Sequence, residues 1–199
     1  MRIELDSNNY LTGNWASIGG NPDWIEVEEL PSEDALKLPA YKYENGSYSF
    51  DEEKYNKTIE EKNTRTLNTA KKTLIAQSKQ NLARYLATHT VTSTCHGEAA
   101  EYSITSEKQS YLASMIMTAQ MAQASGIDYQ PSWNAAGQVC SYDWTLSELQ
   151  QLAFEIESVV RPLVSKQQTM EMKLSAAKTL EELNAVDITF GGNADESAK

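Results

Sequence analysis

The sequence predicts an α+β fold: a small antiparallel β-rich N-terminal module, a long connecting helix, then an α+β C-terminal domain with two hairpin-like segments and three to four helices. Three observations carry this. Residues 1–50 alternate polar and apolar side chains between turn-forming residues. Residues 51–89 contain neither Gly nor Pro and are rich in Glu, Lys, Gln, Ala and Leu, all good helix formers. Residues 90–190 mix β-prone runs with capped, amphipathic helical patterns. The expected boundaries are therefore 1–50, 51–89 and 90–190. A polar stretch over 191–199 has few groups to bury and is expected to be a flexible tail.

In the first module Arg2–Leu5 alternates, Asp6–Asn9 carries turn chemistry, and Tyr10–Ile18 resumes an extended pattern. Gly19-Gly-Asn-Pro22 breaks that run before Trp24–Glu28 alternates again, and Pro31 and Pro39 bracket an acidic connector. Asn45-Gly46, between the aromatic runs Tyr41–Glu44 and Ser47–Phe50, reads as a type I′ hairpin, because both central residues tolerate positive φ. Tyr41, Tyr43, Tyr48 and Phe50 become cross-strand neighbours, and one sheet of three to five strands results.

The following helix has a loose stripe at Leu67, Ala70, Leu74, Leu82, Tyr85 and Leu86. Such a stripe serves either as a face packed on the next domain or as the seam of a homo-oligomer through residues 64–89. Thr90–Ile104 is β-prone at both ends with a turn near Gly97. Thr105 caps a helix with Leu112, Met115, Ile116, Ala119 and Ala122 inward, and Gly126 ends it. Ile127–Trp144 reads as a second hairpin turning near Ala135-Ala-Gly137. Thr145-Leu-Ser-Glu148 and Thr179-Leu-Glu-Glu182 both match the capping box. Pro162 lacks an amide hydrogen and predicts a kink or break in the helix opened at Thr145.

Charge narrows the function classes. The chain carries a formal net charge of -11, with pI about 4.7, which argues against a general nucleic-acid binder. Residues 1–62 hold 14 acids and 6 bases, residues 63–90 hold 5 bases and no acid, and the remainder holds 14 acids and 6 bases. The basic segment is read as a solvated helix face or as a dock for an acidic group. No run reaches the roughly 18 consecutive apolar residues of a membrane span, and the N-terminus lacks a signal-peptide apolar core. A soluble protein made in the cytoplasm is the expectation.

Catalytic patterns are sparse. Cys95 and Cys140 are expected to be free buried thiols. Cys95, His96 and Cys140 would make at most three metal ligands, and neighbours on a strand point to opposite faces, so a zinc site is not expected. A thiol–imidazole pair would need His96 to approach Cys140 in space. Paired carboxylates such as Glu28-Glu29, Glu60-Glu61 and Glu181-Glu182 lie in polar connectors or helix ends, and no phosphate loop is present. The reading is a non-enzymatic chain without metal or cofactor. Its candidate interaction residues, for protein or glycan, are the aromatics Tyr10, Trp15, Trp24, Tyr41, Tyr43, Tyr48, Trp133 and Trp144.

Several stretches form a pattern: Tyr102-Ser-Ile-Thr105, Glu107-Lys-Gln109, Gly126-Ile-Asp-Tyr129, Trp133-Asn134, Asp143-Trp144 and Ala176-Ala-Lys-Thr-Leu-Glu-Glu-Leu183 with Val186. On these, residues of about 63–190 resemble an uncharacterised domain family of phage and prophage tail proteins. Met1–Tyr10 with Tyr41–Gly46 is similar to short N-terminal modules of phage proteins encoded near tail fibres. The resemblance implies a tail fibre assembly chaperone or accessory, whose partner is a tail fibre or baseplate protein. It would act in the host bacterial cytoplasm during assembly, or in the virion tail. A structural component of the fibre or baseplate is the alternative, and a carbohydrate-binding module a second one. The family pattern supplies no catalytic residue.

Overall fold

A computed structural model describes residues 1–191; from residue 192 on, the expected tail lies outside the described residues. Contacts divide the chain into two compact units, Met1–Thr69 and Ala70–Lys199, with the division falling inside the long helix.

In the first unit β1 (Arg2–Leu5) is the centre of a three-stranded antiparallel sheet, between β2 (Leu11–Ala16) and β3 (Ile25–Glu26). The β1–β2 turn is built by Asp6, whose Oδ1 accepts from the amides of Asn8 (2.8 Å) and Tyr10 (3.0 Å), while Asn9 takes φ of 64°. β4 (Tyr41–Glu44) and β5 (Ser47–Phe50) form the predicted hairpin, with Asn45 at φ 51° and Gly46 at 81°. Tyr41 faces Phe50 and Tyr43 faces Tyr48 across it. The single sheet expected from sequence is instead two: the hairpin is a separate ladder, joined to the first by a Tyr10–Lys42 bridge. The 3-10 turn at Leu38–Ala40, which the alternation rules did not anticipate, leads into β4 and buries Leu38 and Ala40.

Helix α1 (Glu52–Thr88) runs 37 residues. Asp51 starts it: Oδ1 accepts from the Lys54 amide (2.9 Å) and Oδ2 from the Tyr10 hydroxyl (2.6 Å). In the second unit its later turns lie on α3 (Leu146–Ala176). Ser78, fully buried, accepts from Gln167 Nε2 (3.2 Å); Lys79 pairs with Glu171 (2.8 Å); Lys71 Nζ donates to the Ser175 carbonyl (2.8 Å). Leu82, Tyr85 and Leu86 enter the core beside Leu149, Leu152, Ile156 and Val160. Leu82, Tyr85 and Leu86, half of the predicted stripe, are therefore covered within the chain and not free as the seam of a homo-oligomer through 64–89. The basic segment likewise meets, through Lys79, an acid of its own chain.

β6 (Thr90–Ser93) pairs antiparallel with β7 (Ala100–Ser103), and α2 (Ser106–Ser125) packs along α3. Thr105 caps α2 through the Lys108 amide, and Gly126 closes it at φ 65°. Thr145 and Glu148 form the reciprocal capping box of α3. The box at Thr179 is skewed: Thr179 caps the Glu182 amide, but the Glu182 carboxylate accepts from Lys178 (2.7 Å), one residue early. Thr179 opens α4 (Leu180–Asn184).

Two expectations are corrected. Of the kink or break expected at Pro162, the break does not occur: α3 runs through it as one helix of 31 residues. The buried positions Leu149, Leu152, Ile156, Val160, Gln167, Met170 and Leu174 keep one phase on both sides of the proline, and that burial outweighs the missing hydrogen bond. Ile127–Trp144 is not a hairpin but a loop closed by one bridge, Trp133–Ser141. Here Pro131 and Asn134 interrupt any ladder, and the backbone is satisfied elsewhere: the Ala136 amide donates to the Glu101 carbonyl (2.7 Å) and Asn134 Nδ2 to the Gln138 carbonyl (3.0 Å).

Candidate functional site

A polar cluster of the second unit converges at His96. Cys95 and His96 sit in the turn after β6, which Gly97 permits at φ 97°, and not in a strand as expected. The imidazole stacks on the Trp144 indole, centroids 4.2 Å apart and planes at 10°. Its Nδ1 lies 3.1 Å from Glu148 Oε1 and its Nε2 3.4 Å from Asp143 Oδ1. Glu148 thus works twice, since its Oε2 accepts from the Thr145 amide (2.6 Å) and hydroxyl (2.8 Å). Burial pushes the Glu148 carboxyl up, but the bonds from Thr145 and His96 outweigh it and hold the group below its ordinary 4.5. Asp143 is held below its ordinary value first by the Ser141 hydroxyl and also by His96.

A polar cleft of about 350 Å³ opens beside this cluster, lined among others by His96, Tyr102, Asn134 and Gln138. The chemistry it offers is confined. Burial pushes the Cys95 thiol up, against a weaker opposing bond with Ser93, which keeps it protonated rather than nucleophilic. Cys140 is exposed, correcting the expectation of a buried thiol; it reaches the Asn134 side chain (3.5 Å) and does not line the cleft that His96 lines. Both imidazole nitrogens face carboxylates, so the ring is oriented as a clasp between the 94–97 turn and the start of α3. Among the described residues no three His, Cys, Asp or Glu side chains are grouped to hold a metal ion.

The aromatic candidates separate sharply. Trp133 and Trp144 are core, not surface: Trp144 is 2% exposed and meets Tyr102 edge-on at 88°. Withdrawing such a ring to grip a partner would expose on the order of 200 Å², a loss of about 5 kcal/mol. Tyr41, Tyr43 and Tyr48 pack on the small core of Ile3, Leu11, Val27 and Leu38. Tyr10 is held by Asp51 and lies under the Lys54 ammonium (3.2 Å). Trp15 opposes Ile3 and is half exposed, sharing the Ile3 face of the sheet with Ile25. Trp24 lies on the other face: a Cβ on Gly20 would come within 3.4 Å of its ring and within 3.2 Å of Ala16, the partner of Arg2. No single aromatic platform for a glycan is assembled from Trp15 and Trp24.

The surface that stands out is built without tryptophan or tyrosine anchors. Between Lys108 and Asp128 there is no charged residue, the longest such run in the chain at 19 residues. Most of it is exposed α2, including Met117 (59%) and Met121 (65%). With Phe154 of α3 (76% exposed), Met117 borders an apolar groove of about 500 Å³ between α2 and α3, floored by Leu112, Ile116 and Ile156. The signal for it in the sequence is the 19-residue gap in charge, which lies over the outward as well as the inward face of α2.

Set against family models, curated proteins and solved structures, the chain matches none.

Proposed function

We propose that this protein is a non-enzymatic accessory of a phage or prophage tail fibre, acting in the host bacterial cytoplasm as an assembly chaperone. It holds an apolar segment of the fibre against the α2–α3 groove until the segment is built into the tail. The observation that carries the reading is the largely apolar groove, bordered by Met117 and Phe154 and carrying Glu157 as its charged lining residue, on a chain of net charge -11. Flexible thioether side chains adapt to irregular apolar surfaces, and an apolar helix laid between two helices is a common recognition mode. The surrounding negative charge keeps the loaded complex from associating with its own kind. The resemblance of residues 63–190 to phage tail domains suggests the partner, a fibre or baseplate protein.

The test is co-expression with the tail fibre protein of the same phage. Wild-type protein should co-purify with the fibre and raise its soluble fraction, and Phe154→Asp with Met117→Asp should abolish both effects while leaving the fold intact by circular dichroism. Failure to bind or solubilise the fibre would overturn the proposal. Recovery of the protein in purified particles at fixed stoichiometry would replace the chaperone reading with that of a structural tail component.

A further inference from the structure

The outward face of α2 has a symmetry that suits one occupant. Ser110, Ala113, Met117, Met121 and Ala124 follow one another at helical spacing and are all exposed. Laid antiparallel on itself about Met117, the helix sets Ser110 opposite Ala124, two small side chains, and Ala113 opposite Met121, a small against a large one. Self-complementarity of this kind is what a two-fold interface requires, because each residue must fit the partner's copy of its counterpart. The charge pattern points the same way. Two copies carrying -11 each repel over most of their surface, whereas the 19 residues from Gln109 to Ile127 bring no charge to the contact.

We propose that this face is covered by a second copy of the chain, α2 against α2 antiparallel across a two-fold axis at Met117. The proposal rests on the reading above that the α2 face is a docking surface, and it names the occupant present before the fibre arrives. The size of the contact sets its strength. A 20-residue helix is about 30 Å long, and a strip about 10 Å wide along it gives roughly 600 Å² buried over both copies. That is about half of what stable interfaces bury, so the dimer is weak and concentration-dependent. A weak dimer shields the methionines in the free protein and yields to a fibre segment that fills the groove more completely.

Sedimentation equilibrium of the full chain from about 5 to about 500 µM tests this, a range spanning the weak end of association. The weight-average mass should climb from monomer towards dimer. Met117→Asp should hold it at monomer, whereas Met172→Asp, at a still more exposed methionine on α3, should change nothing. In a Cys140→Ser background, Met117→Cys should give a disulfide-linked dimer on mild oxidation, since position 117 faces its own copy. A monomer at every concentration, a dimer indifferent to Met117→Asp, or no cross-link through position 117 would overturn the proposal. If the chain is monomeric yet Met117→Asp still loses the fibre, the docking reading stands and the dimer falls. If the dimer forms as described but the fibre is neither bound nor solubilised, the reverse holds.

Discussion

The buried pair Ser78–Gln167 gives a sharp test of how α1 and α3 are held. Ser78 Oγ donates to the Ile75 carbonyl (2.9 Å) and accepts from Gln167 Nε2 (3.2 Å); Gln167 also supports the Glu171 carboxylate. Ser78→Ala removes the acceptor and strands one amide N–H of a side chain that is only 6% exposed. Leaving a buried donor unmet costs about 1–3 kcal/mol. Replacing both residues, Ser78→Ala with Gln167→Leu, removes both polar groups, and the double variant should return to within about 0.5 kcal/mol of wild type. Urea unfolding followed by fluorescence in a Trp15→Phe, Trp24→Phe background reads only Trp133 and Trp144, and so the unit that contains the pair. A harmless Ser78→Ala, or a double variant whose loss is the plain sum of the single ones, would refute the argument that this contact is a closed polar pair in an apolar seam.

Four further outcomes follow from the same geometry. Pro162→Ala restores a backbone donor in the middle of a continuous, solvent-facing stretch of α3 and should stabilise the chain by up to about 3 kcal/mol, read as a raised urea midpoint. Leu149→Ala, at a site with no exposure, should cost about 2–5 kcal/mol in the same assay. The Glu148 carboxyl is held below its ordinary 4.5 in the folded chain, so its contribution is present above that value and fades as pH falls through the lower folded value. Glu148→Gln should therefore flatten the acid limb of a pH titration of Trp144 fluorescence below about pH 4.5. Gly46→Ala, at φ 81°, should destabilise the β4–β5 hairpin by about 1 kcal/mol, seen as faster amide exchange in residues 41–50.

The parts of this fold legible in the sequence are those whose cause is local. Asn45-Gly46 sets its own dihedrals, and Thr145 with Glu148 closes a ring of bonds within four residues, so both could be read without knowing any neighbour. The skewed cap at Thr179 marks the limit of that logic: the residue types are right, yet the Lys178 amide captures the carboxylate meant for the next one. Pro162 shows a local rule overruled by a longer one. The apolar phase from Leu149 to Leu174 was written in the sequence on both sides of the proline, and continuity of phase was the better guide than the residue's own propensity. Trp133 and Trp144 could not be assigned from their surroundings in the chain, because the groups that cover Trp144 include His96 and Tyr102, about 40 or more positions away in sequence.

The same distinction applies to the polar cluster at His96 and the plainer surface of α2. A histidine between two carboxylates looks like the start of a proton relay, but Glu148 is already committed to the α3 N-terminus and the nearest thiol in sequence is buried and protonated. Every strong hydrogen-bonding group in the cluster is engaged in holding the 94–97 turn and the 131–144 loop against the helices. The groove between α2 and α3 is lined mainly by apolar side chains, Met117, Phe154, Ala113 and Ala153 among them, with Gln109, Gln120 and Glu157. Such apolar residues contribute area and adaptability with little direction, which suits the proposed docking of a second copy and of an apolar fibre segment.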